Sequence, residues 1–325
     1  MTSNPPRRHP LADRGEFLWI RTFVAPFHTP AAPFGPGDDA AVVRPPDRAL
    51  CVTTDALVEG VHFSRSYATL ADVGYKALAV NLSDLAAMGA TPDWFVCCLA
   101  TPRRFSRSQV KDLAWGMSLA ARRYRIRLIG GNFSASRELS VTITAAGTFR
   151  HRRWMTRKGA RAGDCLYVSG ELGEARLGLD LLRKGQRGRP ARRQLRPTPR
   201  LRLGIVASGY ARAAIDVSDG FAQDLSHVCV ASSIGAEVDL ARLPIGRSLK
   251  KTLPPRKQIE FALSGGEDYE LILAVPSRRA AAFERACAQI GERVTRVGEF
   301  VRGSLVHLRQ GGTSIPAPLG FDHFR

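Results

Sequence analysis

Eleven of the chain's 29 acidic residues fall in five short motifs. Asp38 and Asp39 stand side by side in GPGDDAAVV, Asp55 and Glu59 lie in TTDALVEGVHF, and Asp84 lies in NLSD. Asp216, Asp219 and Asp224 share IDVSDGFAQD, and Glu267, Asp268 and Glu270 share GGEDYEL. Adjacent carboxylates repel, and a turn tolerates them only where something cationic sits on them, an arginine or a metal ion. The same stretches carry the hydroxyls of Thr53, Thr54 and Ser218; the amide of Asn132 follows a glycine pair, and no Cys/His cluster is present. Hard oxygen donors of this kind suit Mg²⁺, or Mn²⁺, rather than zinc or copper. Mg²⁺ keeps several waters and bridges a few carboxylates to substrate phosphates, so this many aspartates imply several ions and a polyphosphate. Singly, each motif has an ordinary structural use, as a helix N-cap or an arginine partner. The five together point to a metal site.

Other ways of holding a phosphate fail on the residues. The dipeptide Gly-Lys never occurs, which excludes a Walker A loop, and there is no protein-kinase catalytic loop. GPGDDA formally matches G-x-G-x-x-A, but no strand precedes it and its bare carboxylates would repel a pyrophosphate.

These motifs need elements to aim them. The apolar spacing predicts a helix over 15–26, a buried strand over 48–56 and a helix over 70–89 stopped by Gly89. On that second helix Ala77, Asn81, Asp84 and Met88 share a face. A strand DWFVCCLA, a helix opened by the capping box SRSQ at 106–109, and a strand IRLIGGN running into a glycine turn come next. LSVTITAAGTF alternates as a half-exposed strand does. The pattern restarts after residue 150 with strand CLYVSG, a helix from 172 to about 184, a basic loop, and a helix over about 201–213. Strand AAIDVS, helix DGFAQDLSHVCVASSIG, strands AEVDL and DYELILAV, a helix over 277–290 and two closing strands complete the chain. Strands alternate with helices in both halves, so an α/β (α+β) architecture of two domains is expected, over 15–150 and 151–325, after a disordered 1–14.

Composition narrows the setting. No apolar run reaches membrane-spanning length, and no apolar core follows the basic residues of the N-terminus as a signal peptide requires. Six cysteines fall at no metal-ligand spacing and read as reduced thiols of a cytoplasmic protein. The formal charge of +19 comes from 48 basic residues, of which only seven are lysines. The densest basic run, RKGQRGRPARRQLRPTPRLR over 183–202, lacks interleaved aromatics. It reads as a solvated loop between helices rather than a nucleic-acid surface.

In order along the chain, GDDAAVV, TTDALVEGVHF, YKALAVNLSDLAAMGA, GGNFSAS, RKGARAGD, RPTPR, IDVSDGFAQDL, SGGEDYEL and GFDHF closely resemble the thiamine-monophosphate kinase family. That family is a branch of the aminoimidazole ribonucleotide synthetase-like superfamily, whose members use ATP without a Walker motif. The resemblance spans about residue 15 to the C-terminus. It implies a two-domain fold of mixed sheets flanked by helices, N-terminal domains paired in a homodimer, and ATP-dependent phosphorylation of thiamine monophosphate to thiamine diphosphate. It also implies that Asp39, Thr53, Thr54, Asp55, Asp84, Asp216 and Asp219 hold Mg²⁺, with Asn132 at the same metal site. Gly131, Asn132, Arg157 and Ser218 would meet ATP, and His62, Glu267 and Phe321 the thiamine phosphate; Asp39, Asp84, Arg157 and Asp216 would carry the catalytic charge work. Many family members have GGD where this chain has GGN, ending at Asn132. Two other readings stay open at this level: a superfamily enzyme acting on another small phosphate or carboxylate, and a basic nucleic-acid-binding relative.

Overall fold

The computed structural model describes residues 41–43, 49–150, 153–310 and 313–316. Asp38, Asp39, Phe321, the expected helix over 15–26 and the expected disorder over 1–14 lie outside these residues.

The N-terminal half is a five-stranded sheet in the order β1-β2-β5-β3-β4. Its strands are β1 (Ala41–Val43), β2 (Leu50–Val58), β3 (Thr91–Pro102), β4 (Arg127–Ser136) and β5 (Ser140–Thr148). Strand β5 pairs antiparallel with both β2 and β3, while β3 and β4 run parallel. Two helices, α1 (Leu70–Met88) and α2 (Arg107–Tyr124), pack together, with Gly74 and Gly116 so close to the facing backbone that a Cβ at either would overlap a carbonyl oxygen. Capping boxes open both helices, Thr69 with Asp72 and Ser106 with Gln109. Gly89 ends α1 at φ 77°, a left-handed conformation that costs glycine little. Almost every residue of α1 is buried, because the sheet, α2 and the second half of the chain enclose it on all sides.

The second half holds a seven-stranded sheet, β12-β11-β8-β10-β6-β9-β7. Its strands are β6 (Asp164–Ser169), β7 (Ala213–Asp216), β8 (Gly235–Asp239), β9 (Leu271–Pro276), β10 (Val294–Val301), β11 (Val306–Gln310) and β12 (Thr313–Pro316). All pairs are antiparallel except β8 with β11. Helices α3 (Glu174–Arg183), α4 (Arg189–Leu195), α5 (Leu201–Ala207), α6 (Phe221–Ser232), α7 (Arg247–Thr252), α8 (Pro255–Ser264) and α9 (Ala280–Gln289) flank it. The architecture is therefore two mixed α/β units, as the sequence pattern suggests.

Three local expectations are corrected. The basic run is not all loop: α4 forms inside it, with Gly188 at the N-cap and Pro190 in the first turn, where its missing N–H goes unneeded. The glycine pair Gly130-Gly131 makes no turn, because β4 continues to Ser136. Gly131 is needed there for closeness, since a Cβ would sit 2.0 Å from the Cys97 carbonyl oxygen of β3. Finally, β9 begins at Leu271, because Glu267 and Tyr269 take left-handed backbone angles, φ 68° and 51°, that a strand cannot use.

Candidate active site

The two halves meet along α1, and the acidic motifs among the described residues gather at that seam. On β2, Thr53 and Asp55 point to the helix side of the sheet, and the Thr53 hydroxyl donates to Asp84 Oδ2 on α1 at 2.5 Å. One residue before Asp84, the Ser83 hydroxyl donates to Asp216 Oδ2 of β7 at 2.6 Å, joining the halves. Asp216 is 3% exposed at the C-terminal end of its strand.

Beyond Asp216 the chain turns through Ser218, Asp219 and Gly220 into α6. The buried Asp224 carboxylate shapes this turn by accepting the backbone N–H groups of Ser218, Asp219 and Gly220 at 3.0, 3.1 and 3.1 Å. Burial, then the neighbouring charges of Asp219 and Asp216, push Asp224 well above the usual carboxylate range; Arg157 and the Gly220 N–H oppose the rise. Arg157 thus lies close enough to this acid group for its charge to act on Asp224. Asp219, Asp224 and His227 also bring ligand atoms within 4.8 Å of one another.

The loop before β9 completes the site. Glu267 and Tyr269 donate their backbone N–H groups to Ser218 and Val217 carbonyls, each at 2.8 Å, so the loop lies directly on the acid turn. Tyr269 is buried, and burial followed by the charges of Glu267, Asp55, Asp216 and Asp84 raises its phenol well above its ordinary value. The charges of four carboxylates, drawn from both halves, therefore reach one phenol. Asp268 accepts from Gly173 and Ala175 N–H at the start of α3, and its burial lifts it to about 7. Glu267 Oε1 meets Lys76 Nζ of α1 at 2.5 Å, and Gln194 of α4 donates to Oε2.

Beside Glu267 lies a small cleft lined by His62, Phe63, Tyr67, Lys76, Gln194 and Leu195. His62 Nδ1 accepts from the Val58 N–H at 3.1 Å, which leaves the proton on Nε2. His62 and Glu267, expected at the same substrate, are thus neighbours of one cleft.

Thr54, Gly131 and Asn132 do not join this group within one chain. The Thr54 hydroxyl donates to the Ile143 carbonyl and accepts from Thr144 on the sheet face away from the helices. Register through Thr144, Thr142 and Cys98 places Asn132 on that same face. Two strands intervene between β2 and β4, so roughly 14 Å separates the positions of Thr54 and Asn132.

Residues 37–149 match the AIR synthase related protein N-terminal domain, and residues 161–309 match the AIR synthase related protein C-terminal domain. The Escherichia coli (strain K12) thiamine-monophosphate kinase is 38% identical over 306 residues, covering 89% of this chain and 91% of that one. This chain belongs to the thiamine-monophosphate kinase family. The Bacillus subtilis (strain 168) member is 36% identical, covering 92% and 95% of the two chains. The solved structure of AaThiL complexed with AMPPCP and TMP superposes with a TM-score of 0.84 at 34% identity, covering 95% of this chain and 97% of that one.

In this member of the thiamine-monophosphate kinase family, several residues at the seam escape a motif reading. Lys76 reads as one more polar position in a helical pattern, and Gln194 lies in the run taken for a loop. Tyr269 and Ser83 lie inside quoted motifs, but only the fold shows that they face the acids. The arginines of the basic run are also put to use. Arg189 pairs with Glu171, Arg193 and Arg200 with Glu270, and Arg196 with Asp72.

Proposed function

We propose that this protein transfers the γ-phosphoryl group of ATP to the phosphate of thiamine monophosphate, giving thiamine diphosphate and ADP. The observation that carries this reading is the convergence of Asp55 and Asp84 from one half with Asp216 from the other, beside the cleft that His62 lines with Lys76 and Gln194, the two partners of Glu267. AaThiL, a relative at 34% identity, is known complexed with AMPPCP and TMP.

The acceptor is a phosphate oxygen, already ionised at neutral pH, so the reaction calls for no general base. The difficulty is bringing two polyanions into line. The donor set is oxygen throughout, carboxylates with the Thr53 hydroxyl, which fits Mg²⁺ and would also accept Mn²⁺. Thr53, Asp55, Asp84, Asp216 and Asp219 would hold the ions, with Asp39 from outside the described residues and Thr54 and Asn132 at a further position. Bound Mg²⁺ supplies charge neutralisation and alignment of the phosphates. Arg157 faces the nucleotide side of the acid turn with Ser218, Asp219 and Asp224, and offsets charge that spreads onto the transferred group. Gly131 and Ser218 contribute backbone and hydroxyl contacts to ATP. On the other side, His62 Nε2–H donates to a phosphate oxygen of thiamine monophosphate, Glu267 accepts from the amino group of its thiamine moiety, and Phe321 stacks on its ring.

A homodimer completes the site. Strand β4 is exposed along nearly its whole length, with Leu128, Ile129 and Phe133 each more than half exposed. An open edge of that kind is suited to pairing with a second copy. Pairing also answers the separation of Thr54 from Asn132, because one ion can meet both only if they come from different chains. Among the described residues no helix is long and apolar enough to cross a membrane. All six cysteines are free and four are buried, in keeping with a cytoplasmic setting.

The deciding experiment incubates the purified protein with ATP, Mg²⁺ and thiamine monophosphate and follows thiamine diphosphate and ADP together. Equal amounts of both products are expected. ADP without thiamine diphosphate across a range of metal and pH would reject the acceptor, and neither product would reject the kinase.

A further inference from the structure

Lys76 is the least explained charge at the seam. It is only 4% exposed, although a lone ammonium is expensive to bury. Its salt bridge runs to Glu267 Oε1 at 2.5 Å. The nearest acid on its own helix, Asp72, is committed elsewhere, accepting from Arg196 Nε at 2.6 Å and from the Thr69 hydroxyl at 2.7 Å. Glu267 stands on left-handed backbone, in a loop held to Ser218 by its own N–H. A non-glycine residue keeps such a backbone only where its surroundings impose it. Here the second carboxylate oxygen is taken by Gln194, so one oxygen is gripped from α1 and the other from α4.

We propose that Lys76 is a positioning residue that, with Gln194, fixes the Glu267 carboxylate in the direction from which it meets thiamine monophosphate. The inference rests on the reading of Glu267 as an acceptor-substrate contact. The same helix that carries Asp84 carries Lys76, and α1 is rigid because it is buried all round. Metal-binding charge and acceptor-binding charge are thereby held in one frame. Gln194 gives the basic run its part in the site, since the ion pairs of Arg193 and Arg196 pin the short helix that presents it.

The test is a double-mutant cycle of Lys76→Met and Glu267→Gln, with Gln194→Leu as a second way of loosening the same carboxylate. Lys76→Met should raise KM for thiamine monophosphate about tenfold and leave KM for ATP within about twofold. Glu267→Gln should do the same, and the double variant should be no worse than the worse single, since Lys76 has nothing left to position. Gln194→Leu should raise the same KM less, because Lys76 still holds one oxygen. Multiplying effects in the double variant would overturn the inference while leaving Glu267 as a contact, because Lys76 would then meet the substrate itself. An unaltered KM for thiamine monophosphate in Glu267→Gln would overturn the reading of Glu267, and the inference with it. Equal rises in both KM values in Lys76→Met and in Gln194→Leu would mark a purely structural pair.

Discussion

The Ser83 hydroxyl donates to Asp216 Oδ2 at 2.6 Å, and seven residues earlier on α1 Lys76 Nζ reaches Glu267 at 2.5 Å. Residues seven apart lie on one face of a helix, two turns from each other. One face of α1 therefore touches both Asp216 and Glu267 of the second half. Asp72, four residues before Lys76 and paired with Arg196, extends the contact by another turn. These polar contacts are set in an otherwise apolar seam, where one hydrophobic core runs from α1 into the second half, so displacing the helix disturbs the acid geometry and the packing together.

Gly204 tests that dependence. It sits on α5 against α1, where an added Cβ would lie 2.0 Å from the Ala86 carbonyl oxygen. Backbone cannot move aside as a side chain can, so Gly204→Ala should cost about 2 kcal/mol, a fall of about 4–8 °C in Tm. It should also lower kcat, because Ser83 and Asp84 lie within a turn of Ala86. Gly209→Ala is the control: its Cβ meets only Val206 O, at 3.4 Å, and should change Tm by under about 1 °C. Thermal melts and steady-state kinetics on both variants decide it, and unaffected kcat in Gly204→Ala would uncouple the seam from the chemistry.

Asp84→Asn separates charge from shape. The amide oxygen can still accept from Thr53, so Tm should stay within about 2 °C of the parent. The negative charge is lost at the centre of the acid group, and kcat should fall by about 10²- to 10³-fold. A variant with near-parental kcat at millimolar Mg²⁺ would remove Asp84 from the ligand set.

Glu270 is a structural acid, and its effect is on stability. Burial alone would raise its carboxyl, but Arg200, Arg193 and the Ser169 hydroxyl outweigh that and bring it below its ordinary value. Arg200 grips it with two bonds of 2.6 and 2.5 Å. A depressed carboxyl stabilises the fold at pH above its unfolded value of about 4.3, and that stability fades as pH falls through the folded value. Glu270→Gln leaves two arginines without their buried partner and should cost about 3 kcal/mol at pH 7, or about 6–12 °C in Tm. The gap between parent and variant should narrow below about pH 4. A gap independent of pH would mean that shape, not charge, holds this network.

Local signals explain what could be read ahead of the fold. The SRSQ box and Gly89 mark helix ends through bonds made within a few residues, and the alternation of 139–149 reports a strand with one buried face. The acid motifs were legible because carboxylates are scarce in so basic a chain. What escaped is set by distance along the chain. Arg196 pairs with Asp72, 124 residues away, and Gln194 with Glu267, 73 residues away, and nothing local marks such partners. The same pairs turned an expected solvated loop into α4. Asn81 shows the limit of helix-face reasoning, since it shares a face with Asp84 by spacing yet is fully buried, donating to the Ala77 carbonyl. Short motifs announce which atoms matter, while the tertiary partners that hold them still do not show.

Asn132 offers a test of the composite metal position. It stands on the exposed β4, and an amide oxygen can ligate Mg²⁺ without adding charge. The ion nearest it should be held more weakly than a carboxylate would hold it. Asn132→Asp should therefore lower the Mg²⁺ concentration needed for half-maximal activity, with similar or slightly higher kcat. The strand should tolerate the change, since the backbone pairing with Cys98 does not involve the side chain. Because Asn132 is about 14 Å from Thr54 within one chain, the shift should require the dimer. Mixing Asn132→Asp chains with excess inactive Asp84→Asn chains distinguishes the two arrangements. If the partner supplies Asn132, active Asp84-bearing sites in mixed dimers receive the parental Asn132 and keep the parental Mg²⁺ midpoint. If the residue acts within its own chain, those sites show the lowered midpoint, and a titration that never shifts in the homodimer would refute the metal role of Asn132.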